Sequence, residues 1–204
     1  CDIIIEALPP EVVPNLAIKV IEAQKTLVLI SSCALLIYPE ILDTHKSINS
    51  RIIVPSGALT GIDGVKALKK LGIKKSTIAS NKKPSGFAGA PYVEEMGIDL
   101  SQIKTRTKIF EGNAIEASKG FPANVNVAAT LSLAGIGAEN TNVEIWADPE
   151  ATGNSHAIIV EGEFSTIKAT VENMPDPANP KSSMLAAQSI VTCLEDMNNA
   201  LVVL

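Results

Sequence analysis

The chain has 204 residues, 46% of them hydrophobic, with 17 lysines and arginines against 22 aspartates and glutamates. That is enough apolar material for one large domain or two small ones, and it excludes a disordered chain. The net charge of −5 offers no basic footprint for nucleic acid. Apolar runs such as Ile3 to Ile5 and Leu27 to Ile30 fall far short of the roughly 20 residues a membrane span requires.

The first elements read as alternating strands and helices. Cys1 to Ala7 is a β-branched run of the kind buried on both faces of a parallel sheet. From Pro10 to Ala23, Val13, Leu16, Ala17, Val20 and Ile21 recur at helical spacing, with Pro10 tolerated in the first turn. Thr26 to Ile30 reads as a second strand, Pro39 to Ile48 as a helix and Arg51 to Val54 as a third strand. This β-α-β-α-β order predicts right-handed crossovers and half of a doubly wound nucleotide-binding sheet. No GxGxxG, GxxxxGK[ST] or GxSxG stands anywhere in the chain, so no phosphate-binding turn is expected within it. An opening strand that belongs inside such a sheet suggests that a βαβ unit precedes Cys1.

After Ser56-Gly57-Ala58 come a helix near Gly61 to Leu71, a strand near Lys75 to Ser80 and a loop from Lys83 to Pro91. Ala114 to Lys119 and Asn126 to Ala134 read as helices of small residues. The period then becomes two. Val143, Ile145 and Ala147 alternate with polar neighbours, as do Ile158 and Val160, then Ile167, Ala169 and Val171, which predicts a half-exposed, mostly antiparallel sheet. An amphipathic helix from Ser182 to about Met197 closes the pattern.

Candidate site residues collect at the ends of these elements. His156 enters a strand on the parity of Ile158 and Val160, so it faces the packed side. A hydrogen-bonded core histidine is the ordinary expectation there, yet imidazole at a strand end is also the group best suited to proton exchange near neutrality. Asn124 and Asn126 flank a helix start, where one of them is expected to cap and the other is free to meet a ligand. Asp148 suits either a turn or a charge partner. Ser56-Gly57-Ala58 and Ser31-Ser32-Cys33 follow predicted parallel strands, where open α/β sheets bind ligands and where tight turns are equally expected. Asn179-Pro180-Lys181-Ser182-Ser183 sets amide, ammonium and hydroxyls at a helix start, both a cap and an anion site. His45 is expected to be solvated. The three cysteines, Cys1, Cys33 and Cys193, lack the spacing of a disulfide framework or a metal site, which points to a reducing cytoplasm and no metal.

Four blocks in order, SGAxxGxDxxKA, FEGxAxEAxxxFPxNxNVAATLSLAG, ADPxxxxNxHxIxVxGxF and ENxPxxxNPKxS, resemble the L-aspartate dehydrogenase family. The resemblance implies a partial Rossmann-type parallel sheet (1–58), an α/β (α+β) catalytic and dimerisation domain with a mostly antiparallel sheet (59–180), and a C-terminal helix (181–204) packing back on the first unit. It implies NAD- or NADP-dependent oxidation of L-aspartate to iminoaspartate, which yields oxaloacetate and ammonia or feeds NAD biosynthesis, in a cytoplasmic homodimer. By the same resemblance His156 is catalytic, and Ala58 and Asn126 hold the nicotinamide. Ala7 and Ser32 complete the cofactor set at the strand ends, and Asn179, Lys181 and Ser182 lie in the substrate site. Two departures stand out: Cys33 replaces a usual glycine and is expected to crowd the cofactor ribose or pyrophosphate, and Asn81-Lys82-Lys83 replaces Thr-Arg-Lys, losing a bidentate fork. A related amino-acid or semialdehyde dehydrogenase, or a non-catalytic remnant without a phosphate loop, are the alternatives.

Overall fold

The structure is a computed structural model that describes residues 1–174 and 183–203. Its first unit is a three-stranded parallel sheet in the order β1 (Ile3–Glu6), β2 (Thr26–Leu29), β3 (Arg51–Ile53). Between the strands run α1 (Val13–Glu22), a single turn α2 (Ala34–Ile37) and α3 (Glu40–Ser47). The first helix begins later than the spacing predicts, because Pro14 rather than Pro10 occupies its first turn. Val13, Ala17, Val20 and Ile21 turn inward and meet Leu27, Leu29 and Ile41 in a core of their own.

β2, flanked on both sides, buries Leu27, Val28 and Leu29 completely, whereas β1 lies at the sheet edge with Ile3 36% and Ile5 49% exposed. A β-branched run encodes compatibility with a buried strand, but burial depends on a neighbour that a local pattern does not contain.

The second unit is a five-stranded sheet in the order β5 (Thr107–Asn113), β6 (Thr141–Ala147), β4 (Ile73–Lys82), β7 (Asn154–Gly162), β8 (Thr166–Asn173). Only the β4–β6 pair is parallel; the other three are antiparallel. One face carries Val143, Ile145, Ala147, Ile78, Ile158 and Val160, all buried. Against that face pack α4 (Ile62–Leu71), α6 (Ala114–Gly120) and α7 (Asn126–Ala134). α6 starts with a reciprocal capping box, in which the Asn113 side chain accepts from the Glu116 amide and the Glu116 carboxylate accepts from the Asn113 amide. α7 is built of small residues that let it lie close to both units.

Four aromatic rings, Phe87, Tyr92, Phe110 and Phe121, meet edge-on or tilted at centroid distances of 5.1 to 6.0 Å. They tie the loop after β4 and the short helix α5 (Pro91–Glu95) to the joint between α6 and α7. Among the described residues the chain closes with α8 (Met184–Asp196), capped by Ser183, whose hydroxyl accepts from the Ala186 amide. α8 also reaches back to the first unit: the Gly57 amide donates to Ser189 Oγ at 3.2 Å. Among the described residues no helix is long and apolar enough to cross a membrane.

Candidate active site

Strand pairing fixes the centre of the site. In the β4–β7 register Ser80 lies directly opposite His156, and the Ser80 hydroxyl is 2.9 Å from His156 Nδ1. With Nδ1 so engaged, Nε2 is the ring nitrogen left for a ligand. His156 is 6% exposed and faces the packed side, as its parity predicts. Burial, with a smaller push from the Lys82 ammonium, lowers its pKa to about 4, so the ring is neutral at pH 7.

Lys82 follows Ser80 by two residues on β4 and therefore projects from the same face. The sequence reading marked it only as a departure, the lysine standing where the resembled family has arginine, and not as a site residue. Its half-buried side chain donates from Nζ to Asn124 Oδ1 at 2.6 Å and lies 5.6 Å from the Phe87 ring centroid. Burial pulls the ammonium down to about 8. The signal that pointed to it was the alternation of Ser76, Ile78, Ser80 and Lys82 along one strand.

Neither asparagine at the start of α7 serves as its cap. Val125 holds that position and makes no side-chain cap bond. Asn124 is turned to Lys82, and Asn126 is turned to the first unit, where its Oδ1 accepts from the Cys33 amide at 3.0 Å. With its oxygen held there, Asn126 presents Nδ2 as a donor. The Ser32 hydroxyl donates to the Asn126 carbonyl at 2.8 Å and lies 3.0 Å from Thr130 Oγ1, so this serine holds α7 in place. Beside it, the buried Glu6 carboxylate accepts from the Ser31 amide at 3.1 Å and from the Leu8 amide. The Ser31 hydroxyl donates to the Leu8 carbonyl at 2.7 Å, which locks together the loops after β1 and β2. Glu6, the residue that organises this end of the sheet, was also missed.

The remaining candidates divide. Ala7 is exposed at the end of β1, and Ala58 is buried just beyond β3, after a turn that Gly57 enters at φ 64°. Cys33 does not project into the strand-end cleft. Its thiol is fully buried, with Sγ 3.9 Å from the Ser118 carbonyl, and burial raises its pKa to about 12. Asp148 makes a turn, accepting from the Glu150 amide at 2.9 Å. His45 is not merely solvated, since its Nδ1 is 3.0 Å from Ser50 Oγ. Asn179, Lys181 and Ser182 lie outside the described residues. No group of histidine, cysteine and acidic residues among the described residues could hold a metal ion.

Two clusters thus meet at one helix start: Asn126 with Ser32, Cys33 and Thr130, and Asn124 with Lys82, beside His156 and Ser80. Comparison with known families gives this arrangement a context. Residues 63–197 match the family described as "Aspartate dehydrogenase, C-terminal". The chain belongs to the aspartate dehydrogenase family. It is 49% identical over 176 residues to an L-aspartate dehydrogenase of Methanosarcina acetivorans, covering 84% of this chain and 65% of that one. It is 43% identical over 197 residues to one from Methanosarcina barkeri, covering 95% of this chain and 73% of that one. A crystal structure of aspartate dehydrogenase from Thermotoga maritima superposes with a TM-score of 0.79 at 28% identity, covering 99% of this chain and 78% of that one. The chain therefore spans about two thirds to three quarters of the length of these aspartate dehydrogenases.

Proposed function

We propose that this chain carries the substrate and nicotinamide half of an NAD(P)-dependent L-aspartate dehydrogenase, which oxidises L-aspartate to iminoaspartate and thence gives oxaloacetate and ammonia. The observation that carries the reading is the start of α7, where Asn126 faces the parallel sheet and Asn124 faces Lys82 beside His156. A cofactor ring held at the first would lie against a substrate held at the second.

The residues present fit the nicotinamide end of such a cofactor. Asn126 offers a donor of fixed orientation to a carboxamide oxygen, Ala58 is small, and Gly57 turns the backbone sharply beside it. When bound, the nicotinamide accepts the hydride from the aspartate Cα. Ser32 and the Cys33 amide hold Asn126 and so fix which ring face is presented, an orientation effect. His156, neutral at pH 7, takes the ammonium proton at Nε2 while Nδ1–H donates to Ser80 Oγ. Once that proton has passed to solvent, the same Nε2 can activate water against the imine.

We assign residues 1–58 to the nucleotide-binding unit, 59–180 to catalysis and dimerisation and 181–204 to the returning helix. The free edge of β1 is where an adenosine-binding βαβ unit would pair. The solvent face of the five-stranded sheet, with Ile159 38% exposed beside Ala157, Ala79 and Thr77, suits the homodimer contact. A cytoplasmic location fits these substrates.

The test is aspartate-dependent reduction of NAD and NADP by a polypeptide extended at its N-terminus to the length of the relatives. Turnover is expected, and His156→Ala should lower kcat by about 100-fold or more while leaving cofactor affinity nearly unchanged. Full turnover by that variant, or none by the parent, would overturn the assignment.

A further inference from the structure

We propose that Lys82 is a substrate-binding residue, its ammonium receiving one carboxylate of the dicarboxylic substrate beside His156; this rests on the aspartate reading above. A lysine ordinarily keeps its head in water and its stem on the surface. Here the stem is clamped. A Cβ on Gly86 would lie 3.1 Å from Lys82 Cδ, so the loop after β4 presses on the lysine at a residue that lacks a side chain. Phe87, next along the same loop, is 1% exposed and sets its ring near the ammonium. Ordering so flexible a side chain costs rotamer entropy, and burial disfavours its charge.

What the protein returns for that cost is one neutral contact. Nζ has three donors, and the described residues supply one acceptor, Asn124 Oδ1. No carboxylate among the described residues lies within 4.0 Å of it, although five such pairs form elsewhere on lysines. An immobilised, partly desolvated cation without an acid partner among the described residues is built to take an anion, because a charge-assisted hydrogen bond gains strength where water is scarce. Its position selects which anion. Ser80 and Lys82 share one face of β4, and Ser80 touches His156, so a carboxylate on Lys82 brings its own amino-bearing carbon toward Nε2.

The consequence reaches the histidine. The lysine charge opposes protonation of His156, and a bound carboxylate cancels that charge. The imidazole therefore becomes more basic when a dicarboxylate arrives.

Succinate, which binds without reacting, is the probe. Calorimetry with and without NAD(P) should show succinate binding to the wild-type protein, weakened about tenfold or more in Lys82→Gln and Lys82→Met. Lys82→Arg, which keeps the charge, should stay within about threefold. The Met variant preserves the stem's packing, so loss of affinity at an unchanged urea midpoint separates binding from folding. Wild-type affinity in the Gln and Met variants, or no succinate binding to the wild type, overturns the proposal. Lysine-dependent succinate binding without aspartate oxidation would leave this site standing and bring down the dehydrogenase reading. Aspartate oxidation with succinate affinity indifferent to Lys82 would do the reverse.

Discussion

Acidification should destabilise this protein through His156 in a window set by its burial. An imidazole titrates near 6.5 when unfolded, and in the fold burial and the Lys82 ammonium lower it to about 4. Between those two values the unfolded chain binds a proton that the folded one refuses, so stability falls as pH drops from 6.5 towards 4. Above 6.5 the contribution is fully present, and below 4 it is fully lost. Each pH unit inside the window is worth roughly 1.4 kcal/mol, so the whole passage amounts to about 3 kcal/mol and the step from pH 7 to 5 to about 2 kcal/mol. Urea unfolding of wild type and His156→Asn at pH 7, 6 and 5 isolates this contribution, since carboxylate titration is common to both proteins. The wild-type advantage should shrink by about 2 kcal/mol over that range. Parallel stability curves for the two proteins would refute the reasoning, and with it the neutrality of a desolvated ring at pH 7.

Packing gives further expectations. Phe121, fully buried among Phe87, Tyr92 and Phe110, should cost about 3–5 kcal/mol when cut to alanine, read by urea unfolding. Gly162→Ala should cost about 1–3 kcal/mol in the same measurement, because the new Cβ would lie 2.6 Å from Leu68 Cδ1 and 2.9 Å from the Gly72 carbonyl; an unchanged midpoint would mean that β7 and α4 are more loosely packed than described. Toward a thiol reagent at pH 8, Cys1 should react at once and Cys33 only after unfolding, since Cys33 is buried with its pKa raised to about 12. Rapid modification of the Cys33→Ala-sensitive thiol in the native protein would contradict that burial.

Periodic elements were legible in the sequence, and relations between them were much less so. The small-residue run predicted α7 with both ends correct, and alternation predicted the inward faces of β6 and β7, including His156. β5 went unread because Thr107 to Asn113 carries a register shift opposite β6 that breaks its alternation. α2 and α5 are too short to show a helical period. The asparagines flanking α7 were read as a cap and a free amide because local preference is all that a short window holds. Both instead bond to residues some 40 and 90 positions away, contacts that only the fold creates. Lys82 was marked only as a departure from the family's arginine and Glu6 not at all, for the same reason: a lysine in a polar stretch and a glutamate ending a strand look ordinary until their burial is known. The family blocks, by contrast, carried information that periodicity lacks, and they pointed to His156 and Asn126 directly.

The start of α7 has a consequence for how the two halves of the site fill. One helix start is bonded to the Cys33 amide through Asn126 and to the Lys82 ammonium through Asn124, so the parts that would face cofactor and substrate share a single turn of backbone. Order gained at either asparagine is therefore passed to the other, and occupancy of one half of the site lowers the conformational entropy still to be lost at the second.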